Sequence, residues 1–136
     1  MCRSTAFGLD PAAAPVTTFC IGIDTPEITR QKMREAEQFP VLKIKVGLKT
    51  DEPTIEAVRS VINKPLRVDA NEGWTDKERR CRKINWLESE GLEFVEQSMS
   101  AAMLEETRWV RSHVRPPILA DDACLNAAAV PHLVNG

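Results

Sequence analysis

Five short apolar runs recur along the chain about every 25 residues, each followed by a stretch with helical spacing. The runs are Thr17–Asp24, Val41–Gly47, Pro65–Ala70, Leu92–Gln97 and Pro117–Asp121. Their apolar and β-branched content predicts strands. The intervening segments carry helix signals. Thr25-Pro26-Glu27 predicts a helix start, with Thr as cap and Pro in the first turn, and that helix runs toward Gln38. Asp51–Ile62 places Ile55, Val58 and Ile62 on one stripe. Thr75 to Glu78 reads as a capping box, and Gly91 as the stop of the helix that carries Ile84 and Leu87. Ser100 predicts the cap of a fourth helix, and Asn126–Val134 a short fifth one broken near Pro131.

A strand–helix unit repeated five times implies parallel strands joined by right-handed crossovers. The fold class expected is α/β, a partial (β/α) barrel of the TIM type with about five units, because a closed eight-unit barrel typically needs about 250 residues. An open doubly wound sheet has the same pattern. Residues 1–15, with Ala12-Ala13-Ala14 between two prolines, read as a linker or disordered N-terminus, and residues 16–136 as the incomplete barrel domain.

The strand ends carry charges where a core strand should be apolar. Side chains alternate faces along a strand. Leu42, Ile44 and Val46 therefore face the helices, while Lys43 and Lys45 face the barrel interior. Buried ammonium groups need anionic company. Asp69 and Asn71 share a face at the end of the third strand, Glu96 follows the fourth, and Asp121 ends the fifth. In a parallel barrel the carboxyl ends of the strands form the face that holds active sites. Three converging carboxylates repel one another unless a cation sits among them, and hard oxygen ligands favour Mg²⁺. The alternative is that each is a solvated charge at a strand end.

Charge and composition narrow the partners. The net charge is −2 and no basic block occurs, which argues against nucleic acid and anionic membrane. No apolar run approaches the roughly 20 residues of a membrane span, and Met1–Asp10 does not read as a signal peptide. Cys2, Cys20, Cys81 and Cys124 form no CxxC pair; reduced thiols in a cytoplasmic protein are expected. The Arg79-Arg80 and Glu105-Glu106 pairs read as solvated helix faces. His113 reads as a surface residue at a helix end, and Trp74 as a wall or packing residue of the loop after Asn71.

Lys43-x-Lys45, Asp69-x-Asn71, Glu96-Gln97 and Ala120-Asp121 occur in an order and spacing that resembles the muconate-lactonizing branch of the enolase superfamily. The segment Thr17–Glu27 is most similar to the dipeptide epimerases, such as the L-Ala-D/L-Glu epimerases, and the resemblance covers residues 15–136. It implies that Asp69, Glu96 and Asp121 ligate Mg²⁺. It makes Lys45 the base that removes a proton α to a carboxylate, with an enediolate formed in the substrate. Lys43 would hold the substrate carboxylate and lower the pKa of Lys45, Asn71 would orient Asp69 or a water, and Cys20 would touch the substrate where related epimerases carry Thr. The implied partner is a small dipeptide or other carboxylate.

The chain departs from the family pattern at Ser98 and Ser100, where prolines are usual, and at Asp122, where Glu is usual. The family's second catalytic lysine lies further on than the 15 residues that follow Asp121, so two-base epimerisation is not expected of these residues alone. A cycloisomerase, an o-succinylbenzoate synthase or an N-acylamino acid racemase shares the motifs. A non-catalytic remnant, self-associating through exposed strand edges, is the reading from outside the enzyme class.

Overall fold

The computed structural model describes residues 8, 10–14 and 16–134. Most of the expected linker, residues 1–7, 9 and 15, lies outside the described residues, as does Cys2; residues 11–13 form one 3₁₀ turn.

The ordered elements are β1 (Thr18–Ile21), α1 (Pro26–Glu35), β2 (Val41–Lys45), α2 (Asp51–Arg59), β3 (Leu66–Asp69), α3 (Lys77–Ser89), β4 (Leu92–Glu96), α4 (Leu104–Arg111), β5 (Ile118–Leu119) and α5 (Val130–Val134). The five strands form one parallel sheet in chain order. That is the arrangement of an arc cut from a barrel: each helix returns the chain to the next position, and β1 and β5 are the outer strands.

Alternation decides what each face holds. Ile21, Leu42, Ile44, Leu66, Val68 and Val95 are buried on the helix side. There they meet Met33, Ile55, Val58, Ile84, Leu87 and Val110 from the helices. Each such side chain contributes about 1.5–3 kcal/mol by leaving water, so this one layer carries most of the fold's stability. The opposite face holds Cys20, Lys43, Lys45, Arg67, Asp69 and Glu96, as the alternation in β2 and β3 predicts.

Helix boundaries follow capping chemistry. Thr25 caps α1 by accepting from Ile28 N at 3.4 Å. The capping box expected from Thr75 does not form. Asp76 caps α3 instead, accepting from Arg79 N at 2.7 Å, because its carboxylate is the stronger acceptor one residue later. Asn126 accepts from Ala128 N at 3.0 Å and opens a 3₁₀ turn that passes into α5. Gly91 ends α3 with φ +81°, a conformation that needs no Cβ. The fifth strand is shorter than expected, and α4 starts at Leu104 rather than just after Ser100. The structure also corrects the reading of Arg80 as solvated: it is 1% exposed, on the inward stripe of α3 with Lys83, Ile84 and Leu87.

Two loops interlock at the carboxyl ends of the strands. A Cβ on Gly73 would lie 2.6 Å from Gly47 Cα, and one on Gly47 would lie 2.5 Å from the Ala70 carbonyl oxygen. The β2–α2 and β3–α3 loops touch backbone to backbone there.

Candidate active site

The sheet register stacks the charged residues in two rows. Lys45, Asp69 and Glu96 lie side by side on β2, β3 and β4, at the carboxyl ends of the strands. One layer below, Cys20, Lys43 and Arg67 share a row. Lys43 reaches up between the carboxylates: its Nζ lies 3.0 Å from Asp69 Oδ2 and 2.8 Å from Glu96 Oε1. Lys45 donates to the same Asp69 Oδ2 at 2.8 Å and to Asn71 Oδ1 at 2.6 Å. Asp69 is 1% exposed, whereas the Lys43 and Lys45 side chains keep 21% and 31%. Beneath them Arg67 donates to Thr18 Oγ1 and Glu93 and lies over the Phe94 ring, which closes the floor.

The charges shift one another in a definite direction. Burial opposes the charged form of Lys43, but the hydrogen bonds and attraction of Glu96 and Asp69 outweigh it and raise its pKa above the ordinary lysine value. Burial likewise opposes the Asp69 carboxylate. Hydrogen bonds from Lys45, Lys43 and the Asn71 amide outweigh that and lower its pKa below 3.8. The Asp69 contribution to stability is thus present above pH 3.8 and lost as pH falls through the depressed value. The Lys43 contribution is present below pH 10.5 and lost as pH rises through the raised value. Urea midpoints measured across pH are expected to fall at both ends, and Asp69→Asn is expected to flatten the acid limb. An unchanged acid limb in that variant would contradict the assignment.

Asp121 stands apart from this cluster. It is exposed, and it follows Leu119, the residue level with Glu96, by two positions. Those two residues lie past the end of β5, so Asp121 stands in the loop beyond the strand. Among the described residues no three His, Cys, Asp or Glu side chains gather closely enough to hold one ion. Asp69 and Glu96 do share one cation, the Lys43 ammonium. Hard carboxylate oxygens of this kind are the donors Mg²⁺ takes, and Mg²⁺ needs only one or two of them beside water and substrate. Asp69 and Glu96 are the two carboxylates brought together here, and Asp121 is not gathered with them.

Gln97 controls that loop, a role the sequence motif does not announce. Its Oε1 accepts from Asp121 N at 2.9 Å and Ala123 N at 3.1 Å, and its Nε2 donates to the Met99 carbonyl at 2.7 Å. Gln97 adopts φ 40°, and Asn71 and Glu72 adopt 42° and 61°. Left-handed non-glycine residues are uncommon, and here they bend the chain sharply after two strands. Gln97→Ala is expected to speed amide exchange at Asp121 and Ala123 while leaving Asp69 protected, read by hydrogen–deuterium exchange. Equal protection in both proteins would remove Gln97 from that role.

Asp51 is the other residue missed in the sequence, where it reads only as a helix start. It is 2% exposed. Its Oδ1 accepts from Gly47 N and Leu48 N, both at 2.9 Å. Its Oδ2 accepts from Trp74 Nε1 at 2.9 Å and Lys83 Nζ at 2.7 Å. One carboxylate thus ties the β2–α2 loop to the β3–α3 loop and to α3, and Trp74 is a packing residue held by it.

Residues 28–135 match the family model for the enolase C-terminal domain-like fold. The chain belongs to that family. This enolase-type barrel piece is 41% identical over 118 residues to the L-Ala-D/L-Glu epimerase of Bacteroides thetaiotaomicron, covering 86% of this chain and 31% of that protein. It is 35% identical over 125 residues to the hydrophobic dipeptide epimerase of Enterococcus faecalis, covering 88% and 35%. The structure of the dipeptide epimerase from Enterococcus faecalis complexed with Mg and L-Leu-L-Tyr superposes with a TM-score of 0.82 at 34% identity, over 88% of this chain and 35% of that one. The Cytophaga hutchinsonii dipeptide epimerase, complexed with Mg and D-Ala-L-Val, gives a TM-score of 0.85 at 25% identity, over 96% and 37%. The chain therefore spans about a third of the length of the relatives it matches. The cysteines described, Cys20, Cys81 and Cys124, are free, and no helix among the described residues is long and apolar enough to cross a membrane.

Proposed function

We propose that this enolase-type barrel piece carries the proton-abstracting half of a Mg²⁺-dependent dipeptide epimerase site. The observation that carries the reading is the row Lys45–Asp69–Glu96, with Lys43 bridging the two carboxylates. Epimerase relatives at 35–41% identity support it, as do the complexes with Mg and dipeptides of dipeptide epimerases at 34% and 25% identity.

Asp69 and Glu96 would hold the metal, with Asp121 joining from the loop that Gln97 sets. When bound, the metal supplies positive charge beside the substrate carboxylate, as is general for enolase-superfamily sites. Lys45 takes the proton from the α-carbon, and the electron pair moves into the carboxylate to give the enediolate form of the substrate. The two lysines share one oxygen of Asp69, which places the Lys45 amine beside the Lys43 ammonium. Glu96 and Asp69 favour the charge on Lys43. Lys43 then stays cationic and steadies the substrate carboxylate. Asn71 orients Lys45 at 2.6 Å. Cys20, exposed on β1 and level with Lys43, faces the substrate.

The test is solvent deuterium exchange at the α-carbon of Ala-Glu, followed by NMR with and without Mg²⁺. Exchange is expected in the parent. It should drop by about 10²–10⁴-fold in Lys45→Met, the usual contribution of a positioned base. Mg²⁺ is expected to raise the melting temperature of the parent and not of Glu96→Ala. Neither exchange nor a Mg²⁺ response in the parent would leave a folded, inert barrel piece. The outer strands β1 and β5 would then serve self-association, read by sedimentation.

A further inference from the structure

Glu72 holds a backbone conformation that suits glycine. Its φ is 61°, and Asn71 before it stands at 42°. Successive non-glycine residues in the left-handed region are strained, and such strain persists only where surrounding contacts hold it. What holds Glu72 there is a pair of contacts to the next loop. Its amide donates to the Gln97 carbonyl at 2.9 Å, and its Oε1 accepts from the Ala101 amide at 2.5 Å. A glycine would take φ 61° without strain and keep the first contact, but it would lose the second.

The second contact matters because of what the two loops carry. The β3–α3 loop presents Asn71, whose Oδ1 accepts from Lys45 Nζ at 2.6 Å. Asn71 is exposed, so water competes for both partners, and the bond depends on the turn holding Asn71 in place. Asp69 fixes one side of that turn by accepting from the Asn71 amide at 3.0 Å. Glu72 fixes the other side. The β4–α4 loop reads Gln-Ser-Met-Ser-Ala-Ala-Met from Gln97 to Met103, with no proline to stiffen it. A single backbone bond at Gln97 leaves the loops free to pivot about one point. The bond to Ala101 is a second point, and two points set an orientation. Asp51 ties the β2–α2 loop to the β3–α3 loop, and Gln97 ties the β4–α4 loop to Asp121 and Ala123. Glu72 is the side-chain link between those two ties.

We propose that Glu72 is a positioning residue for Lys45: its carboxylate locks the β3–α3 loop onto the β4–α4 loop and so keeps Asn71 against the amine. The proposal rests on the reading of Lys45 as the base. Among the described residues Glu72 makes no hydrogen bond to either lysine, so it acts through Asn71 and not on the reacting proton.

The test compares the parent with Glu72→Gly and Glu72→Gln. Glycine suits the backbone while removing the carboxylate, so Glu72→Gly is expected to melt close to the parent. Glutamine keeps an oxygen that can accept from Ala101. In Glu72→Gly the Ala101 amide is expected to exchange faster with deuterium, and the Asn71 side-chain amide to move toward the NMR shift of a free asparagine. With Mg²⁺ present, solvent exchange at the α-carbon of Ala-Glu is expected to fall about 10–10²-fold in kcat with KM unchanged, the effect of a misplaced catalytic group. Glu72→Gln is expected to restore these signals. A parent without α-carbon exchange overturns the base reading alone, and the Ala101 and Asn71 signals then decide the proposal. It is overturned if the Ala101 rate or the Asn71 signal in Glu72→Gly matches the parent, or if KM changes and kcat does not. It is overturned equally if Glu72→Gly loses Tm and kcat together and Glu72→Gln restores neither, since Glu72 would then be structural only.

Discussion

Asp51→Ala is expected to destabilise the domain by about 3–5 kcal/mol, the usual cost of removing one partner of a buried ion pair. A domain of this size has roughly 5–15 kcal/mol in total, so a large share of the stability goes with one side chain. The cost arises because Asp51 answers four donors at once. Lys83 would remain 8% exposed with only the distant edge of Glu52 for company. The amides of Gly47 and Leu48 and the Trp74 indole would lose their acceptor. Urea unfolding checks this directly, and Asp51→Asn should recover part of the loss because its amide oxygen can still accept. A change below about 1 kcal/mol for Asp51→Ala would mean that water replaces the carboxylate, and that the loops are held by packing alone.

Asp69→Ala is expected to cost about 2–3 kcal/mol and to erase any Mg²⁺-dependent rise in Tm. The figure is smaller than for Asp51 because Lys43 and Lys45 are a fifth to a third exposed, and water can screen them once the carboxylate is gone. The loss reaches the backbone as well: Asp69 Oδ1 accepts from the Asn71 amide at 3.0 Å and so helps hold Asn71 at φ 42°. Removing that bond should loosen the turn that presents Asn71 to Lys45. The measurements are the urea midpoint and the melting temperature with and without Mg²⁺. Retention of the full Mg²⁺ response by Asp69→Ala would exclude it as a ligand.

The strand–helix rhythm made the architecture legible, because period-two burial in β2 and β3 leaves a direct trace in Leu42-Lys43-Ile44-Lys45 and Leu66-Arg67-Val68-Asp69. The facing of Lys43 and Lys45 could be read for the same reason. What the linear pattern does not carry is whatever depends on a third dimension. Asp121 looks equivalent to Asp69 and Glu96 in a row of strand ends, yet the register places it two residues beyond the level of Glu96. Register is a property of pairing, and no single segment encodes it. Arg80 adjoins Arg79 in the chain, and only the phase of α3 against the sheet separates one exposed guanidinium from one buried. Asp51 gave the signal of a helix start and nothing more, since its donors come from Gly47, Leu48, Trp74 and Lys83 across three elements. Capping shows the same limit on a smaller scale: Thr75 and Asp76 are both good caps, and the choice fell to the stronger acceptor.

The contact between Gly47 and Gly73 has a consequence for how such a protein can change over generations. One loop follows the strand that carries Lys45, and the other follows the strand that carries Asp69. Neither glycine can acquire a side chain while the other loop stays where it is, so drift at one position is blocked by its neighbour in space rather than in sequence. The distance between amine and carboxylate is thereby inherited as a unit, and room for new side chains is left at the outer ends of the same loops, at the exposed Lys49 and Thr75.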